Sequence, residues 1–444
     1  MYLTVAFNRF KGYGSFWEQR YSETSMSFFC EQPPFYFESL SWFYKFFCGN
    51  EISDKIFTLI LLCFTVLLIS AIWNKLTDKK FSQFSWLPSM LLLLVPVFSW
   101  TFANQVIETM VVPLSLLVFY LHLVFIQSKN KAKKVISFFG IVTLLFLLLL
   151  TKGAQSVFLV GALFLSGITS EKKIRKERFL QNMFVVIWFS GICALVFLSN
   201  EKANFWMENY FHKRLVATFN HVGATASYHA EIIVRYFSEL IPIFVLLFLI
   251  SIYFKVKQQY SFSLQWKNMK ANKPAWWLIF IGLSASLPMT LTLEQRGFYL
   301  TPSFPFVVLG LALLYKKYFF ILFLKIFARK KFTLVVAGVF MLGGILFFFQ
   351  FKNDYKRDEG MIKDVALLKK IIPEGEIIGI DQSMWNTFSL HSYFNKENNN
   401  SLLVSDTTKF FVQEKENKSQ IPVKYVRLNI TTLWLNVYQK NNSR

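Results

Sequence analysis

The sequence predicts an all-α polytopic membrane protein with a small C-terminal α/β domain. Three observations predict it. Of 444 residues, 54% are hydrophobic and 53 are Phe, against about 45–50% apolar residues in a soluble domain. Apolar runs of about 20 residues, enough to cross about 30 Å of hydrocarbon, recur between residues 55 and 350. Past residue 351 the runs stop and the chain turns polar, with Pro373, Gly375 and three consecutive Asn at 398–400. The formal net charge of +22 would suggest nucleic acid in a soluble chain. Here the Lys and Arg lie between apolar runs, the pattern of membrane-protein loops, and no nucleic-acid partner is expected.

Residues 1–54 carry no apolar run of that length and read as a first-loop segment. Ten predicted spans follow, at 55–73, 86–103, 106–126, 135–151, 154–170, 179–199, 236–254, 275–293, 299–315 and 332–350. Alternate loops separate by charge. Loops 74–85, 127–134, 171–178, 255–274 and 316–331 hold 3, 4, 5, 5 and 6 Lys or Arg; the opposite short loops 104–105, 152–153 and 294–298 hold 0, 1 and 1. Lys and Arg are retained on the cytoplasmic side, so the first set is inside. Both ends of the chain, and the loop 200–235, are then extracytoplasmic. Within loop 316–331, residues 318–328 are apolar apart from Lys325 and are expected to lie along the inner interface. An outer N-terminal segment needs something to carry it across, so a further span upstream of Met1 is expected.

In the tail, 361–372 has helical spacing, with Ile362, Val365, Leu368 and Ile372 near one face. Pro373, Glu374 and Gly375 end it, and 376–380 reads as a buried strand. A second pair, helix 384–394 and strand 401–404, makes a small α/β domain over 351–444. No Gly-rich phosphate loop opens either helix, which argues against a nucleotide site. Cys63 and Cys193 fall inside apolar runs; Cys30 and Cys48 share the first segment, where an oxidising compartment would let them pair, but two unlinked thiols are the preferred reading, and no metal spacing such as C-x-x-C appears.

Charge at a membrane face is costly and usually functional, which singles out four clusters on the predicted outer side. The first runs from Glu31 through Gln32, Pro33, Pro34, Phe35, Tyr36 and Phe37 to Glu38; its paired prolines favour an extended turn, and its aromatic residues also suit a plain interface anchor. The second centres on Glu108 beside Thr109, one turn inside a span, where a carboxylate either caps the helix start or holds a metal or an acceptor hydroxyl. The third is Thr151, Lys152 and Gly153. Lys152 either snorkels or offers three donors to a phosphate, and Gly153 permits close approach to the backbone. The fourth runs from Glu294 through Arg296 and Tyr299 to Pro305, where Pro302 and Pro305 break or kink the following span.

These clusters, in this order, resemble the GT-C glycosyltransferases, nearest to the family of protein O-mannosyltransferases and the lipid A aminoarabinose transferase. The likeness rests on a PPLYF-like segment at Pro33–Phe37, an acid followed by Thr at Glu108–Thr109, LTKGP-like residues at Leu150–Ala154, and an RYLLPxxP-like stretch at Arg296–Pro305, with Gly297 and Phe298 inserted. It covers roughly residues 1–350, and the polar tail is similar as well. The resemblance implies transfer of a hexosyl or pentosyl group from a polyprenyl-phosphate-linked donor to a lipid, glycan or protein acceptor, inverting, on the extracytoplasmic face of the cell inner membrane. It implies an acid in the first outer loop acting as general base. By position Glu31 and Glu108 are the candidate catalytic acids, Lys152, Arg296 and Tyr299 the donor-phosphate residues, and Tyr2, Pro33, Pro34, Tyr36 and Arg235 part of the donor and acceptor loops. A possible divalent metal would draw on Glu31 with His221 or His229. The family's DE-x-x-Y motif would fall just before Tyr2, so its main base is expected upstream of Met1, while Glu18 and Glu23 are weaker substitutes. The alternatives are a transporter or flippase of lipid-linked sugars, which predicts midplane charges and inverted halves that the sequence does not show, and a non-catalytic binding protein.

Overall fold

A computed structural model describes residues 1–47, 49, 51–168, 172–219, 224–258, 262–327, 342, 358–416 and 424–441. The chain forms two compact units. One comprises Cys30–Tyr36 and Asn50–Lys330; the other comprises Met1–Phe29, Phe37–Gly49 and Lys331–Arg444. Two short helices open the chain, α1 (Tyr2–Phe10) and α2 (Phe35–Phe47).

The larger unit is helical: α3 (Glu51–Leu76), α4 (Leu87–Leu93), α5 (Pro96–Asn104), α6 (Glu108–Gln127), α7 (Lys131–Lys152), α8 (Phe158–Ile168), α9 (Lys172–Ser199), α10 (Glu201–Tyr210), α11 (Ala217–Phe219), α12 (Glu231–Gln258), α13 (Phe262–Ala271), α14 (Lys273–Ser286) and α15 (Phe304–Phe327). Three of these start on an Asn whose side chain accepts an orphan backbone N–H: Asn130 from Lys133 at 3.2 Å, Asn200 from Ala203 at 3.1 Å and Asn272 from Ala275 at 3.4 Å. Helices α14 and α15 approach closely at two glycines, as small residues allow in membrane bundles. A Cβ on Gly282 would lie 2.4 Å from Val307, and one on Gly310 would lie 2.7 Å from the Ala275 carbonyl.

Among the described residues, seven helical stretches are long and apolar enough to cross a membrane, or eight if a bent pair counts as one span. Leu67 on α3, Leu198 on α9 and Phe248 on α12 are largely exposed, as lipid-facing side chains are. The chain is a multi-pass membrane protein. The second predicted span is the bent pair, Lys79–Leu93 with Pro96–Asn104, turned through 83°. The cause is local: Val95 precedes Pro96 and is extended at φ −83°, ψ 110°, as a residue before proline prefers. The fourth and fifth predicted spans lie on one apolar stretch, Lys131–Phe164, interrupted by a 3₁₀ turn at Gly153–Val157. The ninth begins later than expected, at Phe304. Pro302 sits in the turn before α15 and Pro305 in its first turn, where proline needs no hydrogen bond and produces no kink. The separate interfacial segment expected at 318–328 is corrected: α15 continues through Phe327, because no Gly or Pro interrupts 311–327. The tenth predicted span, 332–350, lies outside the described residues apart from Leu342, and so does Cys48.

The smaller unit holds a five-stranded mixed sheet in the order β2-β1-β3-β5-β4. Its strands are β1 (Ile377–Ile380), β2 (Ser401–Val404), β3 (Phe410–Glu414), β4 (Tyr425–Arg427) and β5 (Leu435–Lys440), and its helices are α16 (Glu359–Leu368) and α17 (Phe388–Asn398). Strand β1 runs parallel to β2 and β3, while β5 runs antiparallel to β3 and β4. Met361, Val365 and Leu368 from α16, Leu390 and Phe394 from α17, and Ile378, Ile380, Leu402 and Val412 from the sheet form its core. The buried carboxylate of Asp364 accepts the backbone N–H groups of Leu433, Trp434 and Leu435 at 2.6, 2.6 and 2.8 Å, which fixes the start of β5 against α16. Residues near the N-terminus join this unit. The Tyr21 hydroxyl donates to the Phe388 carbonyl at 2.5 Å, and the Thr24 hydroxyl donates to the Leu402 carbonyl at 2.6 Å.

Candidate functional site

The larger unit gathers most of its buried charge at one set of helix ends. Glu108 is the first residue of α6 and Lys152 the last of α7. A carboxylate is favoured at a helix N-terminus and an ammonium at a C-terminus, so both helices support these charges where they stand. Their side chains are 0% and 4% exposed and meet at 2.9 Å. The contact is oblique, and neither side chain has a well-directed hydrogen bond among the described residues. The Lys152 ammonium also lies 4.6 Å above the Tyr299 ring, where the ring quadrupole attracts it. The backbone turns sharply after Lys152. Gly153 has φ 69° and ψ −147°, a region open in practice only to glycine. A Cβ there would also lie 2.0 Å from the Tyr210 hydroxyl. Tyr210 is the group that the glycine admits; it stacks on Trp206 at 5.1 Å, and burial pushes its phenol up to about 12.

Tyr299 carries the network onward. Its hydroxyl donates to Glu294 at 3.1 Å, and its carbonyl accepts from Gln155 at 3.3 Å. Arg214 donates to the same Glu294 at 2.5 Å, lies 3.5 Å from Glu31 and reaches the Tyr299 hydroxyl at 3.4 Å. Burial works against the Arg214 charge, yet Tyr299, Glu294 and Glu31 outweigh it and hold its guanidinium above the ordinary range. Arg214 projects from a π-helical turn, Phe211–Val216, a distortion frequent at functional sites. The rim is Arg296, 51% exposed and 3.9 Å from Glu294. Gln295 pins the rim's backbone: its amide donates to the carbonyls of His229 and Thr292, each at 2.8 Å, and accepts the Ile232 N–H at 2.8 Å.

Of the residues singled out from sequence, the structure thus brings together Glu31, Glu108, Lys152, Tyr299 and Arg296. Arg235 is half exposed and packs its guanidinium where a Cβ on Gly297 would be, 2.1 Å away; it lies 3.9 Å from Glu239, which accepts the Val97 N–H at the start of α5. Tyr36, which follows Pro33 and Pro34 at the start of α2, is buried and donates to the Gln105 carbonyl at 3.0 Å. Tyr2 belongs to the smaller unit, its ring 6.0 Å from Phe37. Glu18 and Glu23 lie there too; Glu18 accepts from Ser15, and Glu23 is 3.8 Å from Arg20. For a metal, Glu31 is already engaged by Arg214, a ring nitrogen of His229 meets the Thr290 carbonyl at 2.9 Å, and His221 lies outside the described residues. Among the described residues, no three His, Cys, Asp or Glu side chains converge as a metal set. Arg214, Tyr210 and the role of Glu294 were not read from sequence. Arg214 follows Lys213 in a long loop, with no motif around it to single it out; its pairing with an acid 80 residues away distinguishes it.

No protein-family model and no curated protein matches the chain. Solved structures do. The crystal structure of ArnT from Cupriavidus metallidurans bound to undecaprenyl phosphate superposes with a TM-score of 0.64 at 13% identity, covering 100% of this chain and 93% of that one. The apo structure of the same protein gives 0.61 at 12% identity, covering 98% and 92%. The chain has a GT-C-like, ArnT-like fold, as the order of its motifs predicts.

Proposed function

We infer that this protein is a membrane glycosyltransferase that moves a sugar from a polyprenyl-phosphate-linked donor to a lipid, glycan or protein acceptor on the extracytoplasmic face of an inner membrane. One observation carries the reading: the buried Glu108–Lys152 pair is joined through Tyr299 to Arg214, Glu294 and Glu31. Buried ionic groups in a bundle are expensive and mark substrate paths. Three cations at graded depth suit a lipid phosphate. Arg296 and Arg214 are accessible enough to touch its oxygens, and Lys152 lies beneath and adds its field in a site of low dielectric. The fold is shared with a protein crystallised with undecaprenyl phosphate. Glu108, Lys152 and Glu294 lie on or beside the three charge-poor short loops, which supports the outer face.

In the proposed reaction the acceptor oxygen attacks the anomeric carbon from the side opposite the phosphate. The bond from carbon to phosphate oxygen breaks, the phosphate leaves with the electron pair, and the configuration inverts. Arg214, Arg296 and Lys152 stabilise the charge that develops on the leaving oxygen. Glu31, the more exposed of the acids beside Arg214, takes the acceptor proton.

The test uses the full chain in lipid nanodiscs. Native mass spectrometry should show undecaprenyl phosphate bound, and polyprenyl-phospho-sugars should support transfer to one of a panel of lipid, glycan and protein acceptors. Lys152→Ala should abolish that transfer. Full activity in this variant removes Lys152 from the site; saturable binding with no transfer to any acceptor favours a non-catalytic binding protein; and absence of both binding and transfer sinks the reading.

A further inference from the structure

The membrane unit carries a second charged feature at the helix ends remote from Glu108. One end of α3 lies against the end of α5, just before Glu108: the Lys55 ammonium there donates to the Ala103 carbonyl at 3.1 Å. At its other end α3 leads into a 3₁₀ turn, Lys79–Phe84, on the way to α4. Two hydrogen bonds fix that connection to α3. The Trp73 indole N–H donates to the Phe81 carbonyl at 3.0 Å, and the Ser70 hydroxyl donates to the Ser85 carbonyl at 3.1 Å. Its aromatic rings pack on α15. Phe81 and Phe84 meet Phe320 at 5.3 and 5.7 Å, and Trp86 meets Phe323 at 5.2 Å. Aromatic side chains favour the headgroup level of a bilayer.

Two lysines from distant parts of the chain share this platform. The Lys80 ammonium lies 5.2 Å from the centre of the Phe81 ring, and that of Lys316, on α15, lies 5.1 Å from the same centre. Both are reachable, since Lys80 is exposed and Lys316 half-buried. Of the charged groups that act on Lys316, Asp78 attracts it, while Lys317 and Lys80 repel it. Among the described residues no carboxylate pairs directly with Lys80 or Lys316. The quadrupole of one ring attracts each ammonium only weakly at an accessible position. An oxyanion shared by both, through charge-assisted hydrogen bonds, is the stronger reason to hold them together. From Trp86 the exposed Met90 and Leu93 continue along one face of α4, an apolar surface on which an acyl chain can lie.

We propose that this platform binds an anionic phospholipid, its phosphate shared by Lys80 and Lys316 and a chain lying along α4. Basic sites between helices, on the face whose loops are rich in Lys and Arg, suit such headgroups. This site is independent of the donor-phosphate cluster and stands whether or not the chain transfers sugars.

Native mass spectrometry of the full chain in detergent tests it, with titration by phosphatidylglycerol or by phosphatidylcholine of the same chains. Phosphatidylglycerol should bind saturably and about tenfold more tightly than phosphatidylcholine. Lys80→Ala with Lys316→Ala should remove that preference. Lys80→Glu, a change at an exposed position, should do the same should the double variant fail to fold. Lys133→Ala with Lys134→Ala, two lysines at the start of α7, should leave the preference intact. Equal binding of the two lipids, or a preference that survives the Lys80 and Lys316 changes, overturns the proposal. An equal loss from the α7 lysines overturns it too, by showing only general attraction between basic loops and anionic lipid. Displacement of the lipid by inorganic phosphate would show a free-anion site and overturn it equally.

Discussion

Two buried acids in this molecule have opposite surroundings. Asp364 in the small domain accepts three backbone N–H groups, a geometry that leaves little capacity for anything else. Glu108 in the membrane unit faces a lysine obliquely and has no well-directed hydrogen bond among the described residues. A carboxylate saturated by backbone donors holds a fold together. A buried ion pair with unused hydrogen-bonding capacity is weak evidence for stability and stronger evidence for work on a ligand. Burial alone does not separate structural from functional charge; saturation does.

The largest test of that contrast is at Lys152. Lys152→Ala should lower transfer by more than 100-fold and, by leaving Glu108 buried without its counter-charge, destabilise the bundle by about 3–5 kcal/mol, read by thermal unfolding in detergent. Glu108→Gln combined with Lys152→Met should recover much of the stability and none of the activity. Recovery of both would make the pair structural, like Asp364. Next comes Arg214→Lys, which keeps a charge but loses the planar fork. Transfer should fall roughly tenfold to a hundredfold with little change in melting temperature, since activity here depends on geometry. A parallel fall in both would assign Arg214 to folding.

Asp364→Ala should do the reverse. Three backbone donors lose their acceptor, and the small domain should lose about 3 kcal/mol, measured by hydrogen exchange of β5, while undecaprenyl phosphate binding is unchanged. Weakened lipid binding would break the separation between the two regions. The smallest expected effect is at His391. Its buried ring contacts the Trp385 carbonyl through Nε2 at 3.0 Å, and desolvation holds its pKa below the ordinary value of 6.5. The folded state therefore binds fewer protons than the unfolded state as pH falls below about 6.5. The contribution of His391 to stability is complete above that pH and is lost as pH drops towards the folded pKa. The small domain should be measurably less stable at pH 5 than at pH 7, and His391→Gln should flatten that difference.

Much of the fold was legible along the chain. Strand 401–404 was read with its observed bounds, and strand 376–380 within one residue, because short apolar runs bounded by Pro, Gly and Asn carry their own punctuation. The helix expected at 384–394 begins later, at Phe388: Met384 ends a 3₁₀ turn that starts at Gln382, and a further turn separates it from the helix. Strands β3, β4 and β5 went unread: β3 and β5 mix polar and apolar positions, and they become strands by pairing with each other across the sheet. In the site, Lys152 and Arg296 stood out as lone cations of short loops, while Arg214 sat among other charges and Glu294 read only as a neighbour of Arg296.

By itself the sequence determined what depends on local composition: the apolar stretches, the loop charge asymmetry, and an acid and a lysine at opposite kinds of helix end. The tertiary structure alone decided what depends on meeting across the chain. It paired Arg214 with Glu294 and Glu31, set Tyr299 beneath Lys152, and joined Tyr21 and Thr24 to the small domain. The physical reason is range. Hydrophobic periodicity and helix-end electrostatics act over a few residues, whereas an ion pair or a shared hydroxyl requires two distant segments to be brought within about 3 Å, and only packing does that.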